Sequence, residues 1–291
     1  MVTTLPPPVT SSFDLPWPLA DRAIDLALEE DLSSGDITTE SCIPPDSVAV
    51  AHATAREALV ACGGPVFRRV FARVDPALGV ETHAAEGARL NSGARLWTVR
   101  GRARSILMGE RVALNFVQRM CAIATRCRAY VDAVPAGCST RITDTRKTTP
   151  GLRALERYAV RVGGARNHRD NLGAAVLIKD NHVAACGGVR AAIERARALA
   201  PHTTKIECEV DTLAQLDEAL AAGAEIVLLD NMATPTIEQA VKRARGRALL
   251  EASGGVAIER VAELARAGVD AISVGALTHS VTASDVGLDF E

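Results

Sequence analysis

Aromatic residues are scarce in this chain and make up only 3% of its 291 residues. Few side chains are therefore available to stack against nucleic-acid bases. The formal net charge is -2 at pH 7, whereas a general nucleic-acid binder carries an excess of Lys and Arg. No apolar run approaches the ~20 residues that a membrane-spanning helix needs. We therefore expect neither a nucleic acid nor a membrane as a partner.

Disulfide and zinc motifs are also missing. The seven cysteines are odd in number and include no C-x-x-C pair, so we expect reduced thiols. Residues 1–19 contain no Lys, no Arg and no long apolar run, and we expect no secretory signal there. These features predict a cytoplasmic protein.

The first part of the chain has the pattern of a small α+β domain. A helix is predicted at residues 19–32, and short strand-like runs follow between residues 48 and 104. Apolar residues keep helical spacing through residues 105–130, which predicts one long helix or two abutting ones, with Ser105 as a candidate N-cap.

After Pro135, predicted strands alternate with predicted helices, which is typical of parallel βαβ units. The strand candidates are residues 139–143, 174–178, 205–210, 225–229, 248–251 and 270–274. This pattern favours a TIM-like barrel or near-barrel, with a doubly wound open sheet as the alternative. No G-x-G-x-x-G opens a helix and no P-loop motif occurs, so the chain lacks the usual signatures of nucleotide-binding sheets.

We therefore predict an α/β chain of two domains. A small N-terminal α+β sandwich domain occupies residues 1–114, and an incomplete TIM-like α/β barrel occupies residues 115–279. The last residues, 280–291, are expected to pack back on the first domain.

Residues 141–182 concentrate cations in a chain whose overall charge is balanced. Short apolar runs bracket this segment, which indicates a folded element, and a folded cationic pocket favours a small polyanionic ligand. Three arginines recur at helical spacing and are predicted to form a solvated helix face: Arg153, Arg157 and Arg161.

In a parallel barrel, the residues that follow each strand meet at one rim. The first two predicted strands are followed by cations, the next two carry carboxylates, and the last two lead into glycine turns that can bind phosphate through backbone N–H groups. A phosphorylated sugar that carries a pyrophosphate and reacts with a small acid would suit all three sets of residues: the cations, the carboxylates and the glycine turns. The six strand ends are Asp144–Lys147, Lys179–His182, Glu207 with Glu209, Asp230 with Asn231, Glu251–Gly255 and Gly275–His279.

The cations of this rim divide into two types. Arg146 and Arg169 are suited to grip a carboxylate through two hydrogen bonds, whereas Lys147 and Lys179 act as point charges. Arg111 lies far from the rim in sequence, and its position alone favours a solvated surface residue.

The acids divide as well. Glu209 and Asp230 are candidates to accept hydrogen bonds from ribose hydroxyls or to hold Mg²⁺. Glu207 faces the same side of its strand as Glu209 but lies farther from the strand end, so we predict only a salt bridge for it.

Several blocks of the chain closely resemble the nicotinate-nucleotide pyrophosphorylase (carboxylating) family, also called quinolinate phosphoribosyltransferase. The likeness covers nearly the whole chain, and the combination of DTRKTTPGLR with LIKDNH is highly specific. The other blocks are ALEEDLSSGDITTE, ERVALNFVQRMCAIAT, ECEVDTLAQLDEAL, IVLLDNM, EASGG and ISVGALTHS.

The resemblance implies an enzyme of NAD biosynthesis that transfers phosphoribose from phosphoribosyl pyrophosphate to quinolinate. Decarboxylation then gives nicotinate mononucleotide, pyrophosphate and CO₂. It also implies Mg²⁺ and a homodimer, or a higher oligomer built from it, in which Arg111 reaches the neighbouring active site. This role reverses the interpretation of Arg111 as a solvated surface residue.

The resemblance also assigns residues to roles. Lys147, Glu209 and Asp230 match catalytic positions, and the two acids match the tentative Mg²⁺ ligands. The positions that hold the quinolinate carboxylates are Arg146, His168, Arg169 and Lys179, while Lys147 is shared with pyrophosphate. The remaining substrate-binding candidates, mainly on the 5′-phosphate side, are Thr145, Ser253, Gly254, Gly255, Val274, Gly275, Ala276 and His279.

Two alternatives stay open at this point. One is a related phosphoribosyltransferase that acts on another pyridine or pyrrole acid, although three basic positions for two carboxylates favour quinolinate over nicotinate. The other is a non-catalytic sensor of a phosphate ligand, against which the intact carboxylate pair speaks. For the transferase we expect no covalent nucleophile.

Overall fold

A computed structural model describes residues 15–291. Residues 1–14 belong to the stretch in which no secretory signal is expected, and they lie outside the described residues. The helices and strands are, in chain order, α1 (Trp17–Leu32), α2 (Ile37–Cys42), β1 (Val48–Ala55), β2 (Leu59–Val60), α3 (Gly64–Val74), β3 (Gly79–Thr82), β4 (Arg89–Leu90), β5 (Arg95–Arg102), α4 (Ala103–Asp132), β6 (Arg141–Thr143), α5 (Arg153–Val162), β7 (Val176–Ile178), α6 (Asp180–Cys186), α7 (Val189–Leu199), β8 (Ile206–Val210), α8 (Leu213–Ala221), β9 (Ile226–Asp230), α9 (Thr234–Ala244), β10 (Leu249–Ser253), α10 (Ile258–Ala267), β11 (Ala271–Ser273), α11 (Ala276–His279) and β12 (Val286–Phe290).

The chain forms two compact units. The first comprises the residues up to Arg128 together with Thr148–Gly164 and Ser280–Glu291. The second comprises Ala129–Lys147 and Ala165–His279. Residue 114, the predicted domain boundary, lies within the uninterrupted α4, and the domain limits stay a prediction.

An antiparallel sheet of four strands, in the order β12-β1-β5-β3, forms the centre of the first unit. Alternate residues of β1 are buried, as expected for a strand with one face on a core. Trp97 of β5 is fully buried and stacks on Phe67 of α3, with 4.7 Å between ring centroids. The C-terminal strand β12 pairs with β1 from Ala51 to Ala55.

Six parallel strands form the sheet of the second unit, in the order β6-β11-β10-β9-β8-β7. Helices connect successive strands, as parallel pairing requires. β6 and β7 stand at opposite edges, although one parallel bridge joins Thr143 to Arg166 beside β6. The predicted fold class, a small α+β domain with an incomplete barrel, is confirmed.

Two local predictions differ from the structure. Helix α4 begins at Ala103, so Ser105 is not its N-cap; the Ser105 hydroxyl instead donates to Asp75 Oδ2 at 2.8 Å. The residues after β7 form helix α6, where no helix was predicted. The glycine turn at Gly275 leads into the short helix α11. Within residues 15–291, no helix combines the length and the apolar composition that a membrane crossing requires.

Candidate active site

The carboxyl ends of the parallel strands lie level with one another in the second unit. Ser253 at the end of β10 is paired with Asp230 at the end of β9, and Ser273 of β11 is paired with Thr143 of β6. The side chains that follow these strands therefore share one rim. All predicted site residues except Arg111 belong to this unit.

A buried carboxylate organises the cationic side of the rim. Asp144 directly follows β6 and is 0% exposed. It accepts hydrogen bonds from the backbone N–H of His168 at 2.6 Å and from the amide of Asn167 at 2.7 Å. These bonds tie the loop that carries His168 and Arg169 to the strand that leads into Arg146.

Two of the predicted carboxylate-binding arginines repel each other. Burial and the neighbouring charge of Arg146 both lower the pKa of Arg169. Arg169 is held in place by donation from Nη1 to the carbonyl oxygen of Ala175 at 3.1 Å. Because two neighbouring positive charges repel each other, an anion that lies between the two arginines is attracted by both and reduces their repulsion.

The His168 ring lies between two buried carboxylates. Its Nε2 atom is 3.3 Å from Glu207 Oε2 and 3.4 Å from Glu251 Oε1. Glu207 and Glu251 are only 4% and 6% exposed. The other ring nitrogen, Nδ1, accepts the backbone N–H of Arg169 at 2.8 Å. The salt bridge predicted for Glu207 is thus made with His168.

Burial and mutual contacts shift the pKa values of His168 and Glu207. Burial lowers the pKa of His168, but its contacts with Glu207 and Glu251 outweigh burial and raise the pKa to about 10. Burial also raises the pKa of Glu207. Since the Arg169 N–H points at Nδ1, that nitrogen must offer a lone pair, and the ring's own proton lies on Nε2, where it faces the two acids.

The acids on β8 and β9 face solvent more than this cluster does. Glu209 accepts a hydrogen bond from Lys179 Nζ at 2.6 Å, and Asp230 accepts one from the Asn231 amide at 2.7 Å. Both carboxylates are partly exposed at the ends of neighbouring strands. Oxygen donors that leave room for further ligands suit Mg²⁺, which keeps waters or substrate phosphates in its shell.

Glycine turns form the remaining side of the rim. A Cβ atom on Gly254, whose φ is +95°, would lie 2.2 Å from Asn231 Oδ1, so only glycine fits. A Cβ on Gly275 would lie 3.0 Å from both Lys147 Cδ and His279 Nε2. The turn after β11 therefore contacts Lys147, whose carbonyl oxygen also accepts the Thr278 hydroxyl at 2.8 Å.

Arg111 belongs to the first unit. It is exposed on α4 and lines a cleft together with Glu30, Asp31 and Phe116. The roles given above to Arg111 and to the rim residues stay predictions.

Sequence reasoning missed two residues that organise the rim. Asp144 was seen only as part of a strand end, although an acid directly after a buried strand was the available signal. Glu251 was grouped with the glycine turn that follows it, whereas it faces His168.

The chain matches known proteins along most of its length. The model of the quinolinate phosphoribosyl transferase C-terminal domain matches residues 123–289, and that of the N-terminal domain matches residues 36–121. The nicotinate-nucleotide pyrophosphorylase (carboxylating) of Mycobacterium leprae is 47% identical over 95% of this chain and 99% of its own length. The probable enzyme of that name from Bacillus subtilis is 40% identical over 89% of each chain. The crystal structure of NadC from Streptococcus pyogenes is 41% identical, with a TM-score of 0.90 over 96% of this chain and 99% of that one.

Proposed function

The chain belongs to the quinolinate phosphoribosyl transferase family, and from that premise we propose that it transfers phosphoribose from phosphoribosyl pyrophosphate to the ring nitrogen of quinolinate. Loss of CO₂ then gives nicotinate mononucleotide and pyrophosphate, a step of NAD biosynthesis. One observation carries the proposal: a single rim holds paired arginines, a lysine against a glycine turn, and two acids on neighbouring strands.

Quinolinate is a dianion at neutral pH, and the cationic side of the rim suits it. Arg146 and Arg169 can each hold a carboxylate through two parallel hydrogen bonds, which also orients the pyridine ring. The repulsion between these arginines is relieved when the dianion binds. Lys179 is paired with Glu209 and adds a third positive charge nearby.

Transfer begins as pyrophosphate leaves the ribose carbon. Positive charge then develops on the sugar, where the carboxylates of Glu209 and Asp230 stabilise it. Lys147, held against the Gly275 turn, stabilises the negative charge that builds on the departing pyrophosphate. The ring nitrogen of quinolinate attacks the same carbon, so the protein's main task is to align the two substrates.

Decarboxylation follows from the product of transfer. The ring nitrogen has become cationic, and it stabilises the electron pair left on the adjacent ring carbon when the C–C bond breaks and CO₂ departs. That carbon then takes up a proton from water, which gives nicotinate mononucleotide. Neither step uses a covalent nucleophile.

Mg²⁺ is the proposed cofactor. Glu209 and Asp230 would hold it, and when bound it would neutralise charge on the pyrophosphate group. Their oxygen donors and partial exposure support this assignment.

We also propose a cytoplasmic homodimer, or a higher oligomer built from it, in which Arg111 reaches the active site of the neighbouring subunit. The exposure of Arg111 on α4 supports this role, because its guanidinium group is accessible to a second chain.

The first test measures CO₂ release from quinolinate in the presence of phosphoribosyl pyrophosphate, with and without Mg²⁺. Lys147→Ala and Arg169→Ala should each lower turnover by about two or more orders of magnitude, while the circular dichroism spectrum stays unchanged. The matched controls are Lys242→Ala and Arg266→Ala, since both residues are exposed on helices of the same unit.

Three outcomes would contradict the proposal. Normal turnover in both rim variants would remove the site from the reaction. Turnover with another pyridine or pyrrole acid but not with quinolinate would identify a related transferase. Binding of phosphoribosyl pyrophosphate without turnover of any acid would indicate a sensor.

A further inference from the structure

A buried ion pair belongs to the first unit, and the proposed reaction does not use it. Glu156 on α5 is only 1% exposed, and its Oε1 atom accepts a hydrogen bond from Nε of Arg119 on α4 at 2.7 Å. Burying a carboxylate is costly for folding unless a partner compensates, and Arg119 supplies that compensation. Glu156 also lies in the first turn of α5, where the partial positive charge of the helix N-terminus stabilises it. The pair is therefore well fixed within its unit.

Both members of the pair bind Thr149. Nη2 of Arg119 donates to the Thr149 hydroxyl at 2.6 Å, and the backbone N–H of Thr149 donates to Oε2 of Glu156 at 3.2 Å. The carbonyl oxygen of Thr149 accepts the N–H of Leu152 at 3.0 Å, which closes a turn. A shift of Thr149 would leave a buried charge without one of its hydrogen bonds, so this residue is firmly held.

Thr149 is the second residue after Lys147. The chain enters the first unit at Thr148, directly after Lys147, and the Thr148 hydroxyl accepts a hydrogen bond from Nε of Arg153 at 3.0 Å. The carbonyl oxygen of Lys147 accepts the Thr278 hydroxyl at 2.8 Å. The backbone that carries Lys147 is therefore anchored at Lys147 itself and again two residues later.

We propose that Arg119 and Glu156 are positioning residues, which fix Thr149 and thereby the backbone of Lys147, so that the ammonium group of Lys147 meets the departing pyrophosphate. The inference rests on the proposed function, because it takes Lys147 as the residue that stabilises this leaving group. The family resemblance gives no role to either member of the ion pair.

The chemistry of lysine explains why such an anchor is useful. A lysine carries a point charge on a flexible stem of four carbons, so its own side chain does little to fix the direction of that charge. A misplacement of about 1 Å at a reacting group can lower a rate about a hundredfold. An ion pair that bonds both the hydroxyl and the N–H of Thr149 restricts the backbone next to Lys147.

Matched changes at Thr149 test the anchor with little disturbance of the fold. Thr149→Val keeps the branched shape but removes the hydroxyl that accepts from Arg119. It should lower kcat about tenfold or more while the KM for quinolinate stays within about threefold. Thr149→Ser keeps the hydroxyl and should recover most of kcat. No loss in the valine variant, or an equal loss in the serine variant, would contradict the proposal.

A double-mutant cycle tests whether the anchor acts through Lys147. The variants are Thr149→Val, Lys147→Ala and the double variant, and turnover is followed as radiolabelled CO₂ released from quinolinate, so that low rates can be measured. If Thr149 acts through Lys147, the double variant turns over within about twofold of Lys147→Ala alone. If the two losses multiply, Thr149 acts independently of Lys147, and the proposal is overturned.

Glu156→Gln tests the ion pair itself. Glutamine presents one acceptor oxygen and one donor group, so it cannot accept from both Arg119 and the Thr149 N–H as the carboxylate does. The loss of kcat should match that of Thr149→Val and should vanish in the Lys147→Ala background. A wild-type kcat in a Glu156→Gln chain with an unchanged circular dichroism spectrum would refute the role of the pair. If Glu156→Gln fails to fold, the Thr149 variants decide the question alone.

Arg126→Lys is the matched control for Arg119→Lys. Both arginines are partly exposed on α4, and Arg126 donates to the carbonyl oxygen of Ser280. In Arg119→Lys a single ammonium group replaces a planar fork that bonds two residues, so kcat should fall, whereas Arg126→Lys should keep kcat within about twofold of wild type. Equal losses in both would indicate a general effect of shortening an arginine on α4 and would count against positioning.

The failure of this inference is separable from failure of the proposed function. A wild-type chain that does not turn over quinolinate rejects the function. A wild-type chain that does so, but whose Thr149 and Lys147 losses multiply, rejects only the positioning role.

Discussion

Gly254 and Gly255 have positive φ angles of +95° and +56°, yet only Gly254 has neighbours where a Cβ atom would stand. An alanine at Gly254 would meet the side chain of Asn231 at 2.2 Å and its backbone nitrogen at 2.8 Å. At Gly255 the same position is open. An alanine at Gly254 would therefore force the turn after β10 to shift, whereas an alanine at Gly255 would not.

We expect Gly255→Ala to lower the free energy of unfolding by about 1–2 kcal/mol, which is the cost of a left-handed residue with a Cβ. Gly254→Ala should cost more than that and should also raise the KM for phosphoribosyl pyrophosphate. Urea unfolding and steady-state kinetics on the two variants check this. Equal losses in both would show that the contact with Asn231 does not constrain the turn.

At the scale of residues, the sequence predicts which positions reach the rim but not how they pair. Alternation along a strand places Glu207 and Glu209 on one side. Their different partners, His168 and Lys179, depend on where the residues before and after β7 lie over the sheet. The exclusion of a Cβ at Gly254 likewise depends on Asn231, which is distant in sequence.

Helix α2 begins with a side-chain cap. The carboxylate of Asp36 accepts the backbone N–H of Thr39 at 2.9 Å. The hydrogen bonds from Thr39 lower the pKa of Asp36 below its ordinary value. A depressed pKa means that the folded state favours the ionised carboxylate, so the cap is fully stabilising above the unfolded-state pKa and is lost as the pH falls through the folded-state pKa.

Asp36→Ala should therefore lower the free energy of unfolding at pH 7 by about 0.5–2 kcal/mol, as other N-cap deletions do. The difference from wild type should shrink as the pH falls below about 4, because both chains then lack the ionised cap. Urea unfolding across this range measures it, with the exposed Asp46→Ala as control. A difference that stays constant with pH would assign the loss to something other than the carboxylate.

At the scale of elements, a helix was predictable where it buries an apolar stripe. Helices α7 to α10 do so, and each lies after one of the predicted strands, where the alternating pattern predicts a helix. Helix α6 buries no residue at all, so its seven residues show no apolar period. Helix α11 has only four residues, too few to repeat a helical pattern.

At the scale of the molecule, alternating strands and helices predicted a parallel sheet but could not show whether it closes. Closure depends on whether the first and last strands meet, and here β6 and β7 remain at separate edges. The strand that completes the other sheet, β12, is only five residues long and lies after the last barrel helix. Its pairing with β1 depends on contacts across more than two hundred residues, which no local pattern encodes.

The proposed homodimer predicts a gain of activity when two different inactive variants form a mixed dimer. If Arg111 serves the neighbouring active site, Arg111→Ala and Lys147→Ala homodimers each lack one residue at every site. A mixed dimer places both changes at one site and leaves the other complete. Random exchange of subunits should therefore restore about a quarter of the wild-type activity, as expected for two-fold symmetric dimers.

The measurement is turnover of quinolinate after the two inactive variants are mixed, unfolded and refolded together. Each variant refolded alone should stay inactive, which controls for reversion and contamination. The matched pair Arg169→Ala with Lys147→Ala should show the opposite result. Both of those residues belong to the second unit of one chain, so a mixed dimer carries one change at each site and neither site is complete. No restoration by the first pair would place Arg111 at its own subunit's site or outside the reaction. Restoration by the second pair would mean that Arg169 and Lys147 of one chain serve different sites.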